Sequence, residues 1–181
     1  MIGESVEKLA DAHPIISSEY QRAGESGVIE DLWFDYDSDF DHGADWKVLP
    51  VYLSKELFRK LYGDQSSYRL AMDLVCPIWS DTWDAVFDSL DKKRVSLVAF
   101  SKLGPQQVLK EHQHDNDGHI IFHMGIEIPE GDEGAVGLNT SFGEHLWRKP
   151  GDWVLFDDTK THSAWNRTDQ DRVVFYVDFV P

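Results

Sequence analysis

Histidine is the residue type in this sequence that is best suited to chemistry, because it is concentrated in one half of the chain. Six of the eight histidines follow residue 93, namely His112, His114, His119, His123, His145 and His162. Neutral imidazole is a good ligand for Fe(II), zinc and nickel. A β-strand aims residues two apart at the same side of a sheet, so His112 and His114 could face one metal ion. The same residues also fit a polar sheet face on which each histidine hydrogen-bonds locally.

A second pattern follows nearer the carboxyl end. The apolar run 153–156 ends in Asp157 and Asp158, His162 comes four residues after Asp158, and Arg172 opens the apolar run 173–177. An arginine at the start of a strand commonly extends to solvent. Beside a metal it would instead offer a forked, permanently charged donor to a carboxylate. These residues alone leave both interpretations open.

The elements that must position these side chains are short strands. From Arg94 onward the apolar period is two, and Gly, Pro, Asp or Asn separate the runs. The runs are 94–100, 106–111, 119–128, 135–140, 144–148, 153–157, 162–166 and 172–180. Eight evenly spaced strands predict a mainly β sandwich or barrel-like sheet.

The part of the chain before the strands reads mainly as helices and loops. Ser54 is a suitable cap for a helix over 54–62, and Trp83, Val86, Phe87 and Leu90 form a helical stripe after Ser80. We expect these helices to pack on one outer face of the sheet. At this length we predict a single domain over 1–181, helix-rich to about 92 and with its β core over about 93–181.

Composition limits the kinds of binding partner and the cellular compartment that we expect. With 17 Lys and Arg against 33 Asp and Glu, the formal net charge is −16, which repels a phosphate backbone or an anionic lipid surface. We therefore expect no nucleic acid partner and no membrane partner. Cys76 is the only cysteine, so an intramolecular disulfide is excluded and a cytoplasmic location is expected. The N-terminus carries no signal-peptide pattern, and no motif indicates the oligomeric state.

Taken together, the residues resemble the aspartyl/asparaginyl β-hydroxylase family of Fe(II)/2-oxoglutarate oxygenases. The likeness is carried by 101–105, by Glu111 and His112, by 123–129, by 151–158, and by His162 with Arg172. The family spacing is kept without gaps over 101–123 and over 151–177. A weaker likeness at 43–46 suggests that most of the chain belongs to one catalytic domain.

The resemblance implies a double-stranded β-helix, a jelly-roll and cupin-like fold, and a role for each matched residue. His112 and His162 would bind Fe(II). Arg172 and Ser101 would hold the distal carboxylate of the co-substrate 2-oxoglutarate, and His123 would hydrogen-bond its metal-proximal carboxylate. Asp158 matches a family acid near the metal. The implied activity is hydroxylation, with O₂, of a C–H bond in an amino acid or in an aspartyl- or asparaginyl-like residue of a peptide or protein.

His114 departs from the family, which usually has a small residue two positions after its first histidine ligand. His114 could be a third ligand, as in cupins, whose H-x-H and H-x-x-x-N spacings are met by His112, His114, His162 and Asn166. That alternative is a three-histidine metalloenzyme that uses no 2-oxoglutarate. We expect instead that His114 faces outward beyond the end of its strand.

The substrate side departs as well. Family members that act on aspartyl groups tend to carry arginines just ahead of the histidine matched by His123, whereas this chain has His119 and Ile121 there. A buried carboxylate without a partner is costly, so the departure favours a neutral or differently anchored substrate. A third alternative is a β-sandwich binding module without catalytic activity, which should purify without stoichiometric metal.

Overall fold

A computed structural model describes residues 2–35, 45–63, 67–115 and 118–181. Gly43 and Ala44, part of the weaker likeness, lie outside these ranges. The helices in the described ranges are α1 (Ile2–Asp11), α2 (His13–Glu25), α3 (Lys55–Tyr62), α4 (Tyr68–Val75) and α5 (Ser80–Ser89). None of them is long and apolar enough to cross a membrane.

The strands follow the predicted order from residue 94 on, and two more precede them. They are β1 (Phe34–Asp35), β2 (Trp46–Leu53), β3 (Val95–Leu103), β4 (Gln107–His112), β5 (Ile120–Glu127), β6 (Val136–Thr140), β7 (Gly143–Leu146), β8 (Trp153–Phe156), β9 (His162–Asn166) and β10 (Arg172–Phe179). They form one sheet in the order β1-β2-β3-β10-β5-β8 and a second in the order β4-β9-β6-β7. Every strand pair is antiparallel. The prediction of a mainly β fold is confirmed.

Strand β10 separates the two interiors of the molecule. Val173, Phe175, Val177 and Phe179 are buried and pack in one apolar cluster with α1, α2 and α5. The alternate residues of β10, from Arg172 to Asp178, point to the other face of the sheet because successive side chains in a strand alternate. The predicted packing of the helices on one outer face is thus confirmed, and the opposite face is left to meet the four-stranded sheet.

Strand β2 was not predicted, because its sequence contains Pro50. Proline has no backbone N–H to donate to a sheet and is found mainly on edge strands or at bulges. The pairing of β2 with β3 shifts register between Pro50 and Tyr52, so the proline sits at a bulge. Pairing elsewhere along the strand is retained, and β2 brings Trp46 to the inner face opposite Leu103.

Helix α3 begins and ends as its sequence dictates. The Ser54 hydroxyl accepts a hydrogen bond from the Leu57 N–H at 3.1 Å, as the predicted cap requires. Gly63 ends the helix with a φ of 72°, a left-handed conformation that glycine adopts without strain. The extent of a single oxygenase domain over 1–181 stays a prediction.

Candidate metal centre

His112 and His162 face each other across two strands. They are partners in the antiparallel pairing of β4 with β9, and directly opposed residues of such a pair point to the same side of the sheet. The centroids of their rings lie 4.2 Å apart. Both residues are buried. The fold therefore brings together two imidazoles that are fifty positions apart in the chain.

Each of these two rings is oriented by a backbone carbonyl two residues earlier. Nδ1 of His112 lies 2.7 Å from the Lys110 oxygen, and Nδ1 of His162 lies 2.9 Å from the Lys160 oxygen. A carbonyl oxygen can only accept, so each neutral ring donates from Nδ1. The lone pair is then on Nε2, which is how outer groups commonly fix the tautomer of a metal-binding histidine.

His114 completes a cluster of three imidazoles. Its ring centroid lies 5.3 Å from that of His112 and 5.6 Å from that of His162. One ring nitrogen from each of the three histidines can be chosen so that all lie within 4.8 Å of one another, a spacing that could hold a metal ion. The expectation that His114 faces outward is wrong. The chain turns inward there because the His114 N–H donates to the Asp158 carbonyl at 2.8 Å.

Burial keeps two of the three imidazoles, His114 and His162, neutral. It lowers the pKa of His162 to about 4, and burial together with the nearby His112 lowers the pKa of His114 to about 4. Both imidazoles are therefore uncharged at pH 7. Metal binding does not have to displace a proton from either ring.

All seven residues singled out from the sequence line one pocket between the two sheets. Its lining consists of Trp46, Ser101, Leu109, His112, His114, Ile121, His123, Leu138, Phe156, Asp158, His162, Ala164, Arg172 and Tyr176. The space between the side chains is about 50 Å³, which is room for one or two waters.

Arg172 is a buried cation with no acidic partner among the described residues. It is 2% exposed, its Nε has no hydrogen-bond partner there, and no carboxylate of the described chain lies within 4.0 Å of it. Burial lowers the pKa of Arg172 to about 10. Its guanidinium carbon lies 5.4 Å from the centre of the Trp147 ring, a weak attraction that leaves the forked donors available. An anionic ligand in the pocket would offset the cost of burying this charge.

His123 is likewise unsatisfied. Both of its ring nitrogens are buried without a hydrogen-bond partner in the described part of the chain. Its ring packs among Phe156 at 5.1 Å, Tyr176 at 5.2 Å and Trp147 at 6.2 Å between centroids. Burial, and next the nearby Arg172 charge, hold the pKa of His123 well below its usual value. The ring is neutral and has one N–H for which the pocket provides no acceptor.

Ser101 is oriented by Trp46, which was not among the predicted pocket residues. The Trp46 indole N–H donates to the Ser101 hydroxyl oxygen at 3.0 Å, which leaves the hydroxyl proton free to be donated to a ligand. Trp46 falls in the weak likeness at 43–46, which could have identified it. Trp147 lies between β7 and β8, inside the predicted run 144–148, and nothing in that run indicated that it would contact Arg172 and His123.

Not every histidine of the strand-rich half belongs to the cluster. His119 lies outside the pocket lining, and its Nδ1 is 2.6 Å from a carboxylate oxygen of the buried Asp178. His145 packs edge-on against Trp147 at 4.9 Å between ring centroids. Ile121 is fully buried and lines the pocket. The position at which acid-binding relatives carry arginine is therefore apolar here.

Comparison with known proteins agrees with this geometry. The family model described as Aspartyl/Asparaginyl beta-hydroxylase matches residues 10–181. An ornithine lipid ester-linked acyl 2-hydroxylase of Rhizobium tropici is 34% identical over 106 residues, 58% of this chain and 34% of the relative. Aspartate beta-hydroxylase domain-containing protein 2 of Mus musculus is 36% identical over 84 residues, 45% of this chain and 23% of the relative. The matches thus span about a third or less of these curated relatives.

The fold has a counterpart among solved structures. A Pseudomonas putida prolyl-4-hydroxylase superposes with a TM-score of 0.53 at 14% identity, and the match covers 94% of this chain and 87% of that one. At such low identity the likeness concerns the fold alone. It confirms the predicted double-stranded β-helix.

Proposed function

The chain belongs to the aspartyl/asparaginyl β-hydroxylase family, and from that premise we propose that it is a hydroxylase that depends on Fe(II) and 2-oxoglutarate. The observation that carries the proposal is the pairing of two features in one pocket. Three imidazoles lie close enough to bind one ion, and beside them Arg172 and His123 have buried donors without partners. A metal fits the first feature, and a carboxylate-bearing ligand fits the second.

The proposed metal ligands are His112 and His162, with His114 as a third. Burial and lowered pKa values favour the neutral, metal-binding form of His114 and His162. Fe(II) takes six ligands in such oxygenases, so even three imidazoles leave positions open for the co-substrate and O₂. When bound, the metal and 2-oxoglutarate would supply the activation of O₂, and the protein supplies binding and orientation.

The proposed binding of 2-oxoglutarate uses donors that the protein leaves unsatisfied. Arg172 offers two parallel N–H groups to the distal carboxylate, which is the strongest geometry for such a pair. Ser101 donates its hydroxyl proton to the same group while Trp46 holds its oxygen. His123 donates its single N–H to the carboxylate nearer the metal. Asp158, which is 2% exposed, supports the cluster through its carbonyl bond to His114.

The proposed substrate presents an uncharged C–H-bearing segment to the pocket. Leu109, Ile121, Leu138 and Phe156 line the part of the pocket not assigned to metal or co-substrate, and Arg172 is its only arginine or lysine among the described residues. An amino acid or a peptide residue anchored outside the pocket meets this requirement. So does an acyl chain, which the name of the Rhizobium tropici relative specifies for that protein.

Anaerobic spectroscopy tests the proposal. Adding 2-oxoglutarate to the Fe(II)-loaded protein should produce a visible charge-transfer band, because the 2-oxoacid binds the metal directly. His162→Ala should lose the metal and the band. Arg172→Met should keep the metal and lose the band at ligand concentrations that saturate the parent protein, whereas the exposed Arg148→Met should keep both. A parent protein that binds metal and shows no band would contradict the proposal.

A three-histidine enzyme that uses no 2-oxoglutarate is the second candidate. The position of His114 in the cluster favours it. This candidate provides no ligand for the buried guanidinium of Arg172 or for the unsatisfied ring of His123. We therefore rank it second. Metal binding with no effect of 2-oxoglutarate on the visible spectrum or on thermal stability would select this candidate. Purified protein without stoichiometric metal would select a non-catalytic module instead.

A further inference from the structure

Basic residues are concentrated on one part of this acidic molecule. The stretches 55–75 and 91–94 contain seven Lys and Arg and four Asp and Glu, a net charge of +3, which leaves −19 for the rest of the chain. They comprise α3, α4 and the short turn Lys92–Arg94 that precedes β3. We call this surface the basic-apolar face.

Most of these cations are not neutralised by the protein. Six of them have no carboxylate within 4.0 Å among the described residues, namely Lys55, Arg59, Lys60, Lys92, Lys93 and Arg94. Four cations line one surface groove of about 550 Å³ with only two acids, Glu56 and Asp115. In a chain with twice as many acids as bases, such a group of unpaired cations is unexpected unless an external anion is its partner.

One of these cations is held in place. The ammonium of Lys92 lies 4.4 Å from the ring centre of Trp83, 4.9 Å from that of Phe87 and 5.2 Å from that of Tyr52. Contacts of this kind stabilise the position of the charge without neutralising it. The groove therefore contains one positive charge that three aromatic rings hold in place.

Helices α3 and α4 also expose large apolar side chains. Leu61 and Tyr62 on α3 are 58% and 59% exposed, and Leu70 and Leu74 on α4 are 64% and 66% exposed. Leu70 and Leu74 are four residues apart and lie on one side of their helix. The two helices are joined at their buried residues, because Phe58 is buried and packs edge-on against Tyr68 at 5.4 Å between ring centroids.

We propose that the basic-apolar face docks on a bilayer surface that carries anionic lipids. Lysine and arginine beside exposed leucines and a tyrosine is the composition of interfacial helices, which bind by charge and by shallow insertion of apolar side chains. A nucleic acid would match the cations and leave the leucines unexplained. The net charge of −16 does not forbid docking, because charges more than about 8–10 Å away are largely screened at physiological salt.

The proposal does not rest on the proposed function, and vesicle co-sedimentation of the full chain tests it. The protein should bind vesicles of phosphatidylcholine with phosphatidylglycerol, and it should not bind vesicles of phosphatidylcholine alone. Lys60→Gln combined with Lys93→Gln should weaken binding roughly 30-fold, since each cation near the surface contributes about fivefold. Leu70→Ser combined with Leu74→Ser should also weaken binding. Added salt should not restore vesicle binding to either double variant.

Matched controls make the test specific. Arg148→Gln with Lys149→Gln removes two exposed charges elsewhere, and Ile15→Ser with Val28→Ser removes two exposed apolar side chains elsewhere. Both control variants should bind like the parent protein. Equal losses in the controls, or no binding to anionic vesicles at low salt, would overturn the proposal.

Two further measurements exclude other occupants of this face. Light scattering would overturn the proposal if it showed a dimer that the Leu70→Ser, Leu74→Ser variant converts to a monomer, because a second copy would then cover the leucines. Equally tight binding to soluble polyglutamate would also overturn it in favour of an acidic protein partner. The metal content and the 2-oxoglutarate band of the same preparation report separately on the proposed function.

Discussion

Replacing Arg172 by methionine should make the ligand-free protein more stable and abolish its response to 2-oxoglutarate. The buried guanidinium has no acidic partner among the described residues, so it lowers the stability of the empty fold. Methionine fills a similar volume and carries no charge. Replacing buried charged groups by apolar ones of similar size is often neutral or stabilising.

The structure gives the size of the effect. Burial lowers the pKa of Arg172 to about 10, well below the usual value for arginine, which corresponds to a cost of roughly 3 kcal/mol for burying the charge. Loss of the contact with Trp147 costs about 1 kcal/mol in the other direction. The net gain of about 2 kcal/mol should raise Tm by about 4–8 °C in a chain of this length. The burial cost is fully present at every pH below about 10, so the gain should be constant between pH 6 and 8.

Thermal unfolding of the Co(II)-loaded proteins, with and without 2-oxoglutarate, measures both effects. A ligand at 100 times its Kd stabilises the folded state by about 2.7 kcal/mol. The parent protein should therefore gain stability on adding 2-oxoglutarate, whereas Arg172→Met should not, and the order of their Tm values should reverse. The exposed Arg148→Met is the control for loss of an arginine. The reasoning is refuted if Arg172→Met is destabilised without ligand, or if both proteins gain equally from 2-oxoglutarate.

Three further predictions concern the pocket and its walls. Metal-free protein should lose stability as pH falls below about 6.5, by about 1.4 kcal/mol per pH unit for His162 alone. The reason is that the lowered pKa of His162 lets the unfolded chain bind more protons than the folded one. Urea unfolding between pH 7 and 5 measures this, and a free energy of unfolding that does not change with pH would contradict it. Trp46→Phe should weaken 2-oxoglutarate binding about 2- to 12-fold by removing the donor to Ser101, while metal binding is kept. Calorimetric titration measures this, and an unchanged affinity would show that the indole N–H has no such role. Gly137→Ala should destabilise the fold by about 1–3 kcal/mol, because a methyl group there would overlap the Trp165 indole; denaturant unfolding equal to that of the parent protein would contradict this packing.

The strands of the carboxyl-terminal half could be predicted because alternation is a local signal. All eight predicted runs correspond to strands, from β3 to β10. Strand β2 could not be found in this way, since Pro50 interrupts its local preference and pairing with β3, distant in sequence, stabilises it. Local propensity gives way to tertiary context at such positions.

The residues that line the pocket could be predicted from the sequence, but the directions of their side chains could be predicted only in part. The family spacing indicated Ser101, His112, His162 and Arg172, and all of them line one pocket. The direction of His114 could not be read from alternation, because β4 ends at His112 and the rule does not apply beyond a strand end. A backbone bond to Asp158 sets that direction. The cytoplasmic location stays a prediction.

The hydrogen bonds from His112 and His162 to backbone carbonyl oxygens limit how this centre can change in evolution. In many metal sites a carboxylate side chain holds the distal nitrogen of the histidine, and substituting that side chain retunes the metal. Here the acceptors are the backbone oxygens of Lys110 and Lys160. A point substitution changes a side chain and leaves these oxygens in the chain. Substitutions at positions 110 and 160 should therefore change the protein surface and leave the hydrogen bonds that orient both imidazoles in place.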